Sequence, residues 1–420
     1  MLNFRDMTRH KGNKFLKSPL LRGLAVTLAG VTATAGAAVA QQPVETRAPN
    51  GVGQTPQRAD QTRAPQPDTL TTVDTQVIAA DLPPLWAMEF LPDGRMLTTV
   101  KAGALRIVAA DGSLGPEITG LPEVDGRGQG GLLDVALSPQ FETDGQVFFS
   151  YAEPRDDGNG TAVASGKLVL DEAGGGRLED VRVIFRQTPS HSGNAHFGSR
   201  LVFGAQGELF VTVGERSDAA TRQQAQDPAS GFGKVFRIDA SGAALGDNPF
   251  VALDGALPQV WSLGHRNMQA AALDDKGRLW TVEHGPRGGD ELNRPEAGLN
   301  YGWPEVTYGI DYSGANIGDG ITATAATEQP VYYWDPVIAP SGMTFYQGDE
   351  FPEWNGAFLV GGLVSQGVVV LHMKDDRVAY EQQISLGERV RDVKLGQDGA
   401  VYVVTDGRSG ASQILRLTKA

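Results

Sequence analysis

RLVFGAQGELFVTVG, residues 200–214, is a β-hairpin written in residue types. Apolar side chains alternate with small or polar ones on both sides of Ala205-Gln206-Gly207, and Gly207 supplies the positive φ that such a tight turn needs. The same grammar returns five more times: AMEFLPDGRMLTTV (87–100), DVALSPQFETDGQVFFSYA (134–152), AALDDKGRLWTVEHG (271–285), MTFYQGDEFPEWNGAFLVGG (343–362) and DVKLGQDGAVYVVTD (392–406). The turn glycines are Gly94, Gly145, Gly207, Gly277, Gly356 and Gly399. A β-sandwich also has many short strands, but it does not repeat one hairpin six times. Six copies at intervals of roughly 45 to 80 residues predict an all-β fold, a six-bladed β-propeller with inserted loops. Radial symmetry then brings loops from several blades together on the axis, so site residues are expected at equivalent points near strand ends.

Outward from the repeats, the chain divides into three parts. Residues 1–40 carry Arg5, Arg9, Lys11, Lys14, Lys17 and Arg22 ahead of an apolar stretch that ends in Ala38-Val39-Ala40. That is the layout of a cleaved signal peptide. Its threonines, glycines and alanines dilute the hydrophobicity that a retained membrane anchor needs. Residues 41–75 are rich in Gln, Pro and Thr with few large apolar side chains, the composition of a disordered linker. Residues 76–420 then form one propeller domain.

The 420 residues hold 36 bases, 50 acids and no cysteine, a net charge of −14. Without residues 1–40 the balance is 30 bases against 49 acids. Nucleic acid is excluded as a partner, because phosphate binding needs a basic face. Disulfides and thiolate metal sites are excluded outright. An acidic, exported, cysteine-free chain points to the periplasm.

The stretch from Trp261 to Pro304 concentrates residues that rarely build a core. It strings together GHRN, EHGPRGGDELN and NYGWP. Asp290 and Glu291, beside backbone carbonyls and Tyr301, are the hard oxygen donors that calcium takes. Arg266 offers a planar fork for a carboxylate. Of six histidines, His196 enters a strand from a glycine-containing loop in NAHFGSRLVFG and is a candidate general base. His265 and His284 read as neighbours of the site, and His372 as structural. Gln129 sits in the Gly-rich turn of GRGQGGLLDV, which serves either a ligand or merely the turn. Arg389 and Arg391 share one face of a strand and either pair with surface acids or, with Arg266, clamp a multi-carboxylate ligand.

GQGGLLDVALSPQF, HFGSRLVFG, AQDPASGFGKVFRID, LGHRNMQ, EHGPRGGDELN, NYGWP, GIDYSG and RVRDV occur in this order on the six hairpins. Together they resemble the soluble pyrroloquinoline quinone (PQQ)-dependent aldose sugar dehydrogenases, relatives of soluble quinoprotein glucose dehydrogenase, from Leu82 to Leu417. The resemblance implies His196 as catalytic base, with Arg266 stabilising charge on the reduced cofactor. It also implies a PQQ site made by Gln129, Arg266, Asn267, Tyr312, Gly362, Leu363, Val364, Arg389, Val390 and Arg391. The carbonyls of Gly285 and Pro286 would hold the cofactor's Ca2+, and Glu291 and Tyr301 a structural Ca2+. Three departures stand out. A lysine usual in the fifth blade is replaced in Leu363-Val364. GHRNPQG reads GHRNMQA. The acid next to the catalytic histidine is Ala195.

The implied reaction is oxidation of the anomeric C1 of an aldose sugar to a lactone. Electrons pass to an external acceptor of quinone or cytochrome type, and the protein is a monomer or homodimer. The alternatives are a calcium-dependent propeller lactonase and a non-enzymatic binding propeller. Neither needs a tricarboxylate clamp.

Overall fold

The computed structural model describes residues 42–172, 174–407 and 410–420, and the predicted signal peptide over 1–40 lies outside them. All six turn glycines hold positive φ, between 64° and 85°. Each predicted hairpin forms the first two strands of an antiparallel group.

The groups follow chain order. The first comprises Leu85–Phe90, Met96–Val100, Ala104–Val108 and Leu114–Thr119. The second comprises Leu132–Leu137, Gln146–Arg155, Gly158–Leu170 and Gly176–Arg186. The third is Leu201–Phe203, Leu209–Val213, Lys234–Ile238 and Val260–Leu263. The fourth is Met268–Leu273, Leu279–Glu283, Asp290–Asn293 and Tyr332–Trp334, and the fifth Pro340–Phe345, Ala357–Gly362, Gly367–Lys374 and Arg377–Ser385. Val390–Leu395, Val401–Thr405 and Ser412–Lys419 take Val73–Leu82 as their outer strand and make the last. The first two groups are joined into one eight-stranded sheet by a short parallel contact of Ile118 and Thr119 with Gly176 and Arg177. We read each group of four as one blade.

The first strands touch in a closed ring, 85–90 to 132–137, then 201–203, 268–273, 340–345, 390–395 and back to 85–90. Apolar clusters lie between consecutive groups rather than at a common centre. Trp86, Phe149 and Tyr151 pack the first against the second, and Trp280, Tyr332 and Phe358 the fourth against the fifth. Leu82, Met88 and Ile414 seal the last against the first. Fully burying each such large side chain contributes about 1.5–3 kcal/mol. Closure therefore depends on pairing the N-terminal strand 73–82 with the C-terminal strand 412–419.

The flexible tether expected over 41–75 is corrected by the structure. Asp335 accepts from Asn50 N and Gly51 N at 2.9 and 2.8 Å, Gln61 Nε2 donates to Pro330 O at 2.9 Å, and Ala64 N donates to Tyr332 Oη at 2.8 Å. Gln61 and Ala64 are buried. The segment has no core of its own. It is ordered by the aromatic and backbone groups of the fourth blade, which composition alone does not report.

Candidate active site

The starts of the first strands and the ends of the second strands open on one cavity of about 350 Å³. His196, Gln129, Arg266, Asn267, Tyr312, Leu363, Arg389, Arg391 and Gly285 all line it, as do Trp86, Lys101, Gln269, His284 and Asp406. Residues from every blade thus converge on one end of the ring.

His196 is buried and sits at φ 52°, a left-handed conformation that is costly outside glycine. Its neighbours enforce it. Gln129 Oε1 accepts from His196 N at 2.9 Å. Arg216, fully buried with its guanidinium 3.9 Å from the Phe197 ring centre, donates to the carbonyls of Ala195 and Gly193. The imidazole Nδ1 lies 2.8 Å from Glu215 Oε1, and Glu215 Oε2 accepts from Ser217 N. Nε2 is the nitrogen left for the cavity. Burial, then the charge of Arg266, lowers the His196 pKa, while Glu215 opposes that fall. The histidine is thereby kept neutral and proton-accepting near pH 7.

Opposite stands a cationic wall. Asp406 Oδ2 accepts from Arg389 Nη2 at 3.0 Å and Arg391 Nη2 at 2.7 Å. Arg391 Nη1 also reaches Gln269 Oε1 and Ser341 Oγ. Arg266 Nη1 donates to the His284 and Gly285 carbonyls, and its guanidinium lies 5.1 Å from the Trp303 ring centre. Lys101 Nζ donates to Gly128 O at 2.6 Å, and burial followed by Arg391 lowers its pKa. Among the described residues four cations thus face a cavity whose wall carries one carboxylate, Asp406, with Glu215 hidden behind His196. That excess suits a ligand with several carboxylates. Beneath it, Arg200 pairs with Asp134 and Asp392 and holds its guanidinium 4.3 Å from the Trp86 ring centre, fixing the floor.

Some expected contacts fall elsewhere. Val390 is wholly buried in the core, because strand alternation turns it away as it turns Arg389 and Arg391 inward. Val364 is 48% exposed and, with Gly362, lies outside the cavity lining. The positive charge expected missing at Val364 is matched by Lys101, from the first blade. The acid absent at Ala195 has its counterpart in Glu215. Both were missed in the sequence, together with Asp406, Gln269 and Trp86. A signal existed: Lys101, Glu215, His284, Leu363 and Asp406 all sit just past the second strand of their hairpins.

Glu291 and Tyr301 line a separate, small space of about 10 Å³ with Glu283, and Gly285 borders both spaces. Among the described residues the Glu291 carboxylate accepts from Asn293 Nδ2 alone, at 3.3 Å, and burial together with Glu283 pushes its pKa well up. An under-compensated carboxylate beside a one-atom void fits a small cation. Tyr301 Oη is used by Arg294 O and Glu296 N, so Tyr301 offers its carbonyl rather than its hydroxyl. Asp290 is not a free donor: Gly285 N, Ile338 N and Ala339 N occupy both its oxygens, and burial raises its pKa to about 7. Among the described residues no three His, Cys, Asp or Glu side chains form a metal cluster, so backbone carbonyls must complete either ion site. The Gly285 carbonyl accepts from Arg266 and keeps a second lone pair. Pro286 lines neither space. His265 is saturated by Glu283 and Ser262, a structural role as expected.

Fold and site together define an all-β propeller with an acid-oriented histidine facing a cationic cavity. A profile for glucose/sorbosone dehydrogenases matches residues 81–416. An aldose sugar dehydrogenase of Escherichia coli is 44% identical over 345 residues, covering 81% of this chain and 91% of that protein. The crystal structure of the soluble E. coli aldose sugar dehydrogenase in its apo form has a TM-score of 0.78 at 41% identity, covering 83% of this chain and 100% of that one. The PQQ-bound form of the aldose sugar dehydrogenase from Streptomyces coelicolor has a TM-score of 0.67 at 28% identity, covering 83% and 99%. The chain belongs to the glucose/sorbosone dehydrogenase family.

Proposed function

We propose that the protein oxidises aldose sugars at C1 to lactones with PQQ and calcium, passing electrons to an external acceptor in the periplasm. The observation that carries this reading is the placing of a neutral, carboxylate-oriented histidine and four cations around one cavity. The PQQ-bound relative supports the choice of cofactor, and the basic-then-apolar N-terminus supports export.

When bound, PQQ supplies a two-electron oxidant, with calcium as Lewis acid at its reacting carbonyl. Arg389, Arg391 and Lys101 would hold its carboxylates, and Gln129 and Asn267 would border it. The Gly285 carbonyl, which lines the cavity, would help to hold the cofactor's ion. With that oxidant bound to take the hydride of C1, His196 Nε2 would accept the proton of the anomeric hydroxyl. Glu215 keeps Nδ1 protonated, so that Nε2 presents its lone pair, and it stabilises the imidazolium that forms. Arg266, at the cavity wall, would offer its guanidinium to the cofactor's reacting end as a charge-stabilising donor. Tyr312, 71% exposed, stands at the mouth where a sugar enters.

Anaerobic titration of the apo-protein with PQQ and calcium, followed by aldose, tests this. Saturable cofactor binding and sugar-dependent dye reduction are expected. Binding without reduction would favour a non-enzymatic propeller, and lactone hydrolysis without PQQ a lactonase.

A further inference from the structure

Residues 294–331, between the third and fourth strands of the fourth blade, contain no helix or strand. So long an irregular stretch needs outside partners to keep one conformation. It carries Tyr312 to the cavity. Its partners come from residues 50–61, a segment that precedes the residues matched by the family profile and that the mechanism above does not use.

Gln54 is the point of contact. Its Nε2 donates to Thr307 O at 3.3 Å and to Gly309 O at 3.1 Å. Two carbonyls demand a donor, which fixes the orientation of the amide, and its Oε1 is buried with no partner among the described residues. Gly51 makes the room, since a Cβ there would collide with Gln54 Oε1. Further along, Tyr308 Oη lies 3.2 Å from Gln61 Oε1, and the Tyr308 ring stacks on Tyr333 with centroids 3.9 Å apart. Arg287 belongs to the same unit. Its Nε donates to Asn50 Oδ1 at 3.1 Å, while its backbone N and O pair with Ile310. Residues 50–61 therefore grip the loop just before Tyr312 and, through Arg287, the turn that carries Gly285. Asp335 anchors the segment itself by accepting from Asn50 N and Gly51 N.

We propose that residues 50–61 are a strap and that Gln54 is its positioning residue, holding the mouth loop so that Tyr312 meets the incoming sugar. The sugar's part rests on the functional reading above; the hold on the loop does not. PQQ binding is expected to be insensitive, because Lys101, Arg389 and Arg391 come from the first and last blades. Gln54→Ala removes the two donors, and Gly51→Ala displaces the amide while leaving it in the chain. In apo-protein, either variant should speed hydrogen exchange at the Thr307 and Ile310 amides about three- to tenfold, the worth of a net hydrogen bond. Exchange in the six first strands should not change. With PQQ loaded, the sugar KM should rise by a similar factor, while kcat and the PQQ concentration for half-saturation stay within about twofold of wild type. Gln54→Lys keeps a donor and should recover both readouts, whereas Gln54→Glu should not. Unchanged loop exchange in both Gln54→Ala and Gly51→Ala overturns the strap. Faster exchange throughout the first strands would reduce the segment to a general stabiliser and overturn the positioning role, as would faster loop exchange with an unaltered KM. A wild-type protein that oxidises no sugar would sink the functional reading instead, and the exchange result would still decide the strap.

Discussion

Glu215 Oε1 lies 2.8 Å from His196 Nδ1, and the two residues come from opposite sides of one hairpin. The loop before Leu201 delivers the base and the segment after Val213 delivers its acid, so a single two-strand unit fixes both. Glu215→Ala should therefore leave PQQ binding intact while kcat falls by about two orders of magnitude, since the imidazole loses both tautomer and orientation. Unchanged kcat in a cofactor-saturated variant would remove Glu215 from the mechanism.

Rate should also report the titration of His196. Its pKa lies below the ordinary 6.5, so kcat/KM should be level above that pH and fall only below it. The sign for stability is the same. The unfolded chain binds the extra proton between the folded pKa and 6.5, so stability rises with pH across that window and is complete above it. Glu215 raises the pKa, so Glu215→Gln should move the acid limb to lower pH. A limb above 6.5 would contradict the burial of the ring.

Arg389→Ala and Arg391→Ala should each weaken PQQ retention by about tenfold or more, because a charge-assisted hydrogen bond contributes roughly 1.5–3 kcal/mol. Asp406→Asn should act in the other direction on geometry: it loosens both guanidinium groups and broadens the response to salt. Equilibrium dialysis with PQQ measures both. A change confined to the sugar KM would show that the arginines face the substrate.

Lys101→Ala should weaken PQQ binding less, about threefold to tenfold, since the ammonium is half-exposed and screened. The loss should shrink at high salt. Equal affinity of variant and wild type at low salt would restrict Lys101 to holding Gly128.

Calcium binding to the small void at Glu291 should stabilise the apo-protein by about 2.7 kcal/mol at a hundredfold excess over Kd. Chelator should lower Tm before any PQQ is added. Glu291→Gln should abolish that response and, in chelator, melt higher than wild type, because one of two facing carboxylates is neutralised. A wild-type melting curve indifferent to chelator would refute the ion.

Sequence alone determined the repeat. Hairpin alternation and the turn glycines are local demands of backbone and pleat, so they are legible residue by residue, and with them the strand-end origin of His196, Arg266 and Arg389. Sequence also carried the motifs that name the family. Only the tertiary structure decided which groups meet. Glu215, Lys101 and Asp406 reach the cavity because ring closure aligns the ends of strands far apart in the chain. Val390 leaves it because its neighbours' alternation sends it to the core. Gln61 and Ala64 are buried because the fourth blade supplies the apolar surface their own segment lacks. Local pattern sets which elements form; burial and charge pairing between distant blades set what those elements do.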